Sequence, residues 1–375
     1  MTLPPLPRSG APLSSTASSS SPPASPIRVA LCDDSFVVRS ALERMLTPEP
    51  DIRVVGRATN GEEAIALVAE QKKLGTPIDV LILDIEMPVL DGISALPRLL
   101  EVDRSLKVIM ASTLTTRGAD IALRALRLGA ADYVPKPQAA VLSSQQDFRT
   151  ELLGKIRGLA RLRRRPAQAP APPAAGIALR PLPPFPPKLL AIGSSTGGPQ
   201  ALFNVIPRLG RPLPVPVVLT QHMPPTFTPL LAQHLSRLGP MPCAEATDGE
   251  PLQPGRIYLA PGNRHLLVER RHGQPVARLD DGPPVNFCRP AVDPMLESAA
   301  EAYDGRVLVV MLTGMGHDGR EGTRKVVARG GAAIAQDEAT SVVWGMPGAI
   351  AQAGLCHAVL PLPEIAPKIL EIIRP

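Results

Sequence analysis

Among the residues whose types and spacing could do chemistry, the first is a serine set between glycines directly after an apolar run. Leu189-Leu190-Ala191-Ile192 leads into Gly193-Ser194-Ser195-Thr196-Gly197-Gly198. The Gly-x-Ser-x-Gly spacing fits a nucleophile elbow, in which glycines permit a sharp strand-to-helix turn. Ser195 would then stand at a helix N-terminus, where free N–H groups can stabilise an oxyanion. A phosphate-cradling loop or a plain tight turn would use the same glycines. No Gly-Lys-Ser/Thr follows, so the stretch is not a nucleotide P-loop. A serine nucleophile needs a base, and the base needs an orienting group. His222, in Thr220-Gln221-His222-Met223-Pro224, and Asp318, in Thr313-Gly314-Met315-Gly316-His317-Asp318-Gly319, each follow an apolar run. Three strand ends would thus deliver Ser, His and Asp to one sheet edge. Asp293 and Asp337 are alternative third members. The chain order Ser, His, Asp differs from the Ser, Asp, His order of α/β-hydrolases. A metal site on His222, His265 and His317 is a competing arrangement, but no His-x-x-x-His pair supports it.

A second set is acidic. Asp33 and Asp34 end one apolar run and Asp84 ends another. Ser112-Thr113 ends a third, and Lys136 lies in Tyr133-Val134-Pro135-Lys136-Pro137. Three carboxylates at one sheet edge repel, and Mg²⁺, an oxygen-ligated cation, would make them tolerable. With a lysine, such a metal would neutralise a phosphoryl group arriving on Asp84. The bland alternative is that Asp33 and Asp34 only cap the following helix.

Both sets require apolar strands alternating with amphipathic helices. Runs at 27–31, 54–55, 80–83 and 108–110 read as strands in the first half. Runs at 189–192, 215–219, 257–259 and 307–312 do so in the second, with helices starting near Gly198, Phe227, Ala291 and Asp318. Continuous apolar strands between helices indicate parallel sheets covered on both faces. The expected fold class is α/β, with two doubly wound parallel-sheet domains. Ser/Pro/Ala-rich residues 1–26 read as a disordered tail, 27–145 as the first domain, 146–187 as a linker with a proline-rich stretch, and 188–375 as the second domain.

Composition narrows the class. The 375 residues carry a net charge of +6, much of it in the tract 161–165, which suits a solvated helix end or linker better than a nucleic-acid surface. Only 3% of residues are aromatic, so the cores must be aliphatic. Four scattered cysteines, Cys32, Cys243, Cys288 and Cys356, form no CxxC pair and suggest reduced thiols in a cytoplasmic protein. No secretory signal and no run long enough to span a membrane is evident.

The first half resembles the response-regulator receiver family, on Asp33-Asp34, Asp84 with Met87-Pro88 and Gly92, Ser112-Thr113 and Lys136-Pro137. That resemblance implies a CheY-like fold with Asp84 as phosphoacceptor. It implies Mg²⁺ held by Asp34, Asp84 and the Glu86 carbonyl, with Asp33 assisting. Ser112 and Lys136 would contact the phosphoryl group, and Tyr133 would be the switch aromatic. The second half resembles the CheB chemotaxis methylesterase family. The motifs are 193–198, Thr-Gln-His-Met-Pro-Pro at 220–225, Leu-Ala-Pro-Gly at 259–262, Arg-Pro-Ala-Val-Asp-Pro at 289–294, 311–319 and 336–347. This implies a Rossmann-like esterase domain with Ser195 as nucleophile, His222 as base and Asp318 orienting it. The N–H groups of Met315 and the Thr196 region would form the oxyanion hole, with no cofactor for the esterase step. The implied substrates are glutamate γ-methyl esters and certain glutamines on methyl-accepting chemoreceptor helices. The implied phosphodonor is a CheA-type histidine kinase. Neither nucleic acid nor membrane insertion is expected. His317 stands where the family often has Asn, which raises competition for Asp318.

Overall fold

The computed structural model describes residues 25–113, 115–136, 142–164 and 177–373. Most of 1–26 and the proline-rich stretch 166–176 lie outside them.

The first half builds β1 (Ile27–Cys32), α1 (Phe36–Leu46), β2 (Ile52–Ala58), α2 (Gly61–Lys73), β3 (Val80–Asp84), α3 (Gly92–Val102), β4 (Lys107–Ser112), α4 (Thr116–Arg127), β5 (Asp132–Pro135) and α5 (Leu142–Arg164). The five strands are parallel in the order β2-β1-β3-β4-β5. Alternate residues face opposite layers, as the two-residue repeat of a strand demands. Ala30, Leu81, Leu83, Val108 and Met110 join one core with residues of α2, α3 and α4. Val29, Leu31, Val80, Ile82 and Ile109 join another with residues of α1 and α5. The strand order reverses between β1 and β3, which opens a crevice beyond their carboxyl ends.

The second half builds β6 (Leu189–Ser194), α6 (Gly198–Arg208), β7 (Val217–Gln221), α7 (Thr228–Leu238), β8 (Cys243–Glu245), β9 (Ile257–Leu259), β10 (His265–Arg271), β11 (Gln274–Asp280), α8 (Val292–Ala302), β12 (Val307–Met311), α9 (Arg320–Ala328), β13 (Ala332–Gln336), α10 (Met346–Gln352), β14 (Ala358–Leu360) and α11 (Leu362–Ile372). Its seven-stranded parallel sheet runs β14-β13-β12-β6-β7-β9-β8, and β10-β11 form a separate antiparallel pair. The reversal here falls between β6 and β12. Both sheets are parallel with helices on their faces, the α/β class expected.

The segment from 146 onward begins as the continuation of α5. Its basic end is ion-paired rather than free. Arg163 is buried between Asp79 and Asp103, Arg164 pairs with Asp79, and Arg161 with Glu338 of the second half. No helix among the described residues is long and apolar enough to cross a membrane.

Candidate functional site

Parallel register sets the second-half site. Gly193 pairs with Thr220 and Ser194 with Gln221, so Ser195 and His222 are the next residues off two neighbouring strands. Adjacent strands lie about 4.8 Å apart, which brings a serine and a histidine to one rim. The His222 N–H donates to the Ser194 carbonyl at 3.1 Å, and the Ser195 N–H donates to the Thr313 carbonyl at 3.0 Å. Gln221 clamps the strand ends. Its Oε1 accepts from Ser194 Oγ at 2.7 Å, and its Nε2 donates to the carbonyls of Ser195 and His222 at 3.0 Å each. Gly197 then turns the chain into α6 at φ +75°, where a Cβ would meet Val342 at 2.4 Å. Only glycine fits that combination of left-handed backbone and close packing.

Asp318, on the loop after β12, is buried and heavily hydrogen-bonded. Its Oδ2 accepts from His222 Nε2 at 2.8 Å and from the Val292 N–H at 2.6 Å. Its Oδ1 accepts from the N–H groups of Asp293 at 3.1 Å and Gly319 at 2.9 Å, and from Asn286 Nδ2 at 2.9 Å. The carboxylate therefore caps α8, whose N-cap residue Ala291 has no side-chain acceptor. Burial works to raise its pKa, but the His222 bond and charge, with the Val292 and Asn286 donors, hold it below the usual carboxylate value. Burial likewise works to lower the His222 pKa. The hydrogen bonds to Asp318 and Cys288 prevail and push the imidazole up to about 10. Cys288 Sγ lies 3.3 Å from His222 Nδ1. Among the described residues Ser195 Oγ has no hydrogen-bond partner, so Nδ1 is occupied by a thiol while the adjacent hydroxyl is free.

The remaining candidates separate cleanly. Among the described residues the N–H groups of Thr196 and Met315 have no acceptor, which leaves both available to an oxyanion. His317 is exposed while Asp318 is buried, and Asp318 accepts no bond from it. His265 is buried with both nitrogens engaged, Nε2 on the Pro283 carbonyl and Nδ1 on the Ala291 N–H. Asp337 orders its own turn through Thr340. Asp293 sits one donor away from Asp318. Asn286 Nδ2 gives one hydrogen to each of them, at 2.9 Å. Burial and the Asp318 charge raise the Asp293 pKa, the opposite direction to its neighbour. Among the described residues the histidines form no metal-ligating group with other side chains. Sequence reading missed Asn286, Gln221 and Cys288. Gln221 stood next to His222 in a quoted motif, whereas Asn286 and Cys288 carry no spacing signal.

In the first half, Asp33, Asp34 and Asp84 offer oxygens within 4.8 Å of one another. Lys136 Nζ lies 2.7 Å from Asp84 Oδ2 and 3.1 Å from Asp33 Oδ2. Both Oδ2 atoms are buried and face the Lys136 ammonium. Three carboxylates gathered within one donor set suit a hard divalent cation. Burial and the Asp33 charge push the Asp84 pKa up to about 6 against the pull of Lys136. The N-cap of α1 is Ser35, so Asp33 and Asp34 are not its capping residues. The Glu86 side chain is exposed and faces Arg117 at 3.9 Å. A pocket of about 710 Å³ lined by Asp34, Glu86, Met87 and Arg117 opens beside the cluster. Ser112, at the end of β4, is buried and donates to the Thr113 carbonyl at 3.1 Å.

The two sites lie on packed halves. The Tyr133 ring stacks on Phe227 with centroids 4.6 Å apart, and α4 packs against α6 and α7. Beneath the ring, Lys155 is buried with its Nζ 4.9 Å from the Tyr133 centroid, 2.7 Å from Glu151 and 3.6 Å from Asp132. Asp132 Oδ2 accepts from the Gly197 N–H at 3.1 Å, two residues from Ser195. Gly154 of α5 meets Met315, and Gly158 meets the Val342 carbonyl, so closely that a methyl group at either would collide.

The chain is similar to proteins of a known family. The sequence profile of the CheB methylesterase matches residues 190–369, and that of the response regulator receiver domain matches 29–144. A protein-glutamate methylesterase/protein-glutamine glutaminase of Paramagnetospirillum magneticum is 52% identical, over 94% of this chain and 98% of its own. Another, of Rhodospirillum centenum, is 51% identical over 92% and 94%. The crystal structure of the Thermotoga maritima CheB methylesterase catalytic domain is 43% identical, covering 50% of this chain and 100% of that one, with a TM-score of 0.49. The chain belongs to the CheB methylesterase family, as a methylesterase carried behind a response-regulator receiver domain.

Proposed function

We propose that this chain hydrolyses glutamate γ-methyl esters, and deamidates glutamines, on the cytoplasmic helices of methyl-accepting chemoreceptors, under control of phosphorylation at Asp84. The observation that carries the reading is the in-register placement of Ser195 beside His222, with His222 held by the buried Asp318. Ser195 Oγ attacks the ester carbonyl carbon as His222 takes its proton. The N–H groups of Thr196 and Met315 hold the oxyanion. The C–O bond to the methyl group's oxygen breaks, and His222 returns the proton so that methanol leaves. Water then repeats the sequence in reverse and frees the glutamate carboxylate; a glutamine substrate releases ammonia instead.

Two features indicate a resting state. The imidazole edge that must receive the serine proton, Nδ1, rests on Cys288. The receiver's Asp132, Tyr133 and α5 also cover the Ser195 turn. Phosphorylation would weaken this cover. Asp34, Asp84 and the Glu86 carbonyl, assisted by Asp33, would hold Mg²⁺, which supplies charge neutralisation for the phosphoryl group. Lys136 and Ser112 would contact that group, and Tyr133, whose ring is fixed against Phe227, would pass the change to the esterase. A CheA-type histidine kinase is the phosphodonor in this reading, and 27–145 and 188–375 are the two domains. With four free cysteines, a cytoplasmic location suits the chain.

Methanol release from methylated receptor fragments, with and without acetyl phosphate, tests the reading. Ser195→Ala should lower the rate on the order of 10⁴- to 10⁶-fold. Undiminished release by that variant would remove Ser195 from the mechanism.

A further inference from the structure

The loop between β11 and α8 contains a two-residue hairpin whose chemistry is unusual. Val285 and Cys288 exchange both backbone hydrogen bonds, Val285 N–H to the Cys288 carbonyl at 3.0 Å and the reverse at 2.9 Å. The two residues between them, Asn286 and Phe287, both sit at positive φ, +52° and +63°. Such turns favour Asn followed by Gly, because the second position also demands left-handed backbone. Asn tolerates it, but a phenylalanine with positive φ is an outlier that needs another reason to be there.

The hairpin is anchored from inside. Asn286 bridges Asp293 and Asp318, and Cys288 touches His222. Arg289 ties the base to Asn263 and to the carbonyls of Asp281 and Gly282. With its neighbours on both sides held by the catalytic groups, Phe287 is turned outward and is 102% exposed, the most exposed of the large apolar side chains described. An aromatic ring placed in water, on strained backbone, one residue from a thiol that contacts His222, gains nothing within the chain.

We propose that Phe287 is a specificity-determining residue that docks the substrate helix. Its ring packs against apolar side chains one helical turn from the methyl-esterified glutamate and so seats that ester at Ser195. The inference rests on the esterase reading above and names the part of the site that distinguishes a helix-borne ester from a free one.

The test compares wild type, Phe287→Gly and Phe287→Leu in the full chain activated with acetyl phosphate. Two substrates are used: a methylated receptor fragment and the amide of N-acetylglutamate γ-methyl ester. Phe287→Gly should raise KM for the receptor fragment about ten-fold, a factor worth about 1.4 kcal/mol, with kcat little changed. The single-residue ester should lose far less, and Leu should recover most of the loss. Because glycine suits the backbone there, the Tm of Phe287→Gly should hold or rise, which separates a docking role from a structural one. A receptor-fragment KM unchanged in Phe287→Gly, or an equal loss on both esters, would overturn the proposal while leaving the esterase intact. Absence of methanol release by the wild type itself would sink the esterase reading, and this inference with it.

Discussion

At the scale of single residues, the informative groups are those whose charge depends on a neighbour. The His222 pKa is raised by Asp318 and Cys288. The stabilisation from that pairing is fully present below the unfolded imidazole value of 6.5 and is lost as pH rises through about 10. In the mechanism proposed above a protonated imidazole cannot act as the base, so the same bonds would oppose catalysis. Replacing Cys288 by Ala removes one of the two props. The acid limb of the kcat profile should move to lower pH, as followed by methanol release across pH; an unmoved limb would show that the thiol does not tune the base. Asp84 shifts in the same direction for a different cause. Its carboxyl, raised to about 6 chiefly by burial, favours the protonated form. The stability that form contributes is present at low pH and is lost as pH climbs through about 6. Proton and Mg²⁺ then compete for one oxygen set. Mg²⁺ affinity, by calorimetric titration of the full chain, should fall steeply as pH drops below about 6, and Asp84→Asn should flatten that dependence.

At the scale of elements, the site depends on where strands stop and how the chain leaves them. Gly197 is the sharpest case, since its left-handed φ and the Val342 side chain each exclude a larger residue. Gly197→Ala should cost about 1–3 kcal/mol from the backbone alone and displace the Ser195 turn. Thermal unfolding and esterase rate should therefore fall together. The N-terminus of α8 plays a comparable part. By using Asp318 as its cap, it couples the position of the imidazole's partner to a whole helix rather than to a loop. Asp318→Asn would keep the shape but lose the charge. It should lower the His222 pKa and cut the rate, with 10⁴-fold an order-of-magnitude guide from a serine-protease triad.

At the scale of the whole molecule, one apolar core runs through both halves, joining Leu123 and Tyr133 to Phe227 and Leu231. Such a boundary can still open, because the polar part of it is costly. Lys155 and Asp132 are taken from water, with the partly exposed Glu151 at their edge, for contacts that only partly offset the desolvation. Asp132 further spends an acceptor on the Gly197 N–H. Asp132→Ala should raise methanol release by unphosphorylated chain about 5-fold or more, the range of a modest coupling energy. It should also shrink the response to acetyl phosphate. A variant that folds normally yet keeps the wild-type ratio would show that this contact does not hold the cover in place.

Much of this protein is local, and local things are legible. The strand runs, the Gly-x-Ser-x-Gly turn, Asp33-Asp34 with Asp84, and the helix starts near Gly198 and Ala291 follow from periodicity and turn chemistry within short windows. Strands β5, β8, β13 and β14 and the β10-β11 pair were not read out. They are short, or they carry polar residues such as Asp132 and Arg270 whose partners lie far along the chain. What sequence alone determined was which residues could act and that a parallel sheet edge would collect them. Tertiary structure alone decided the rest: Asn286 bridging two carboxylates, Cys288 on the imidazole, and the receiver's Asp132 at the esterase's helix start. Apart from the short reach from Asn286 to Asp293, each is a contact between residues separated by intervening elements, set by how layers pack, and no pattern in the chain records it.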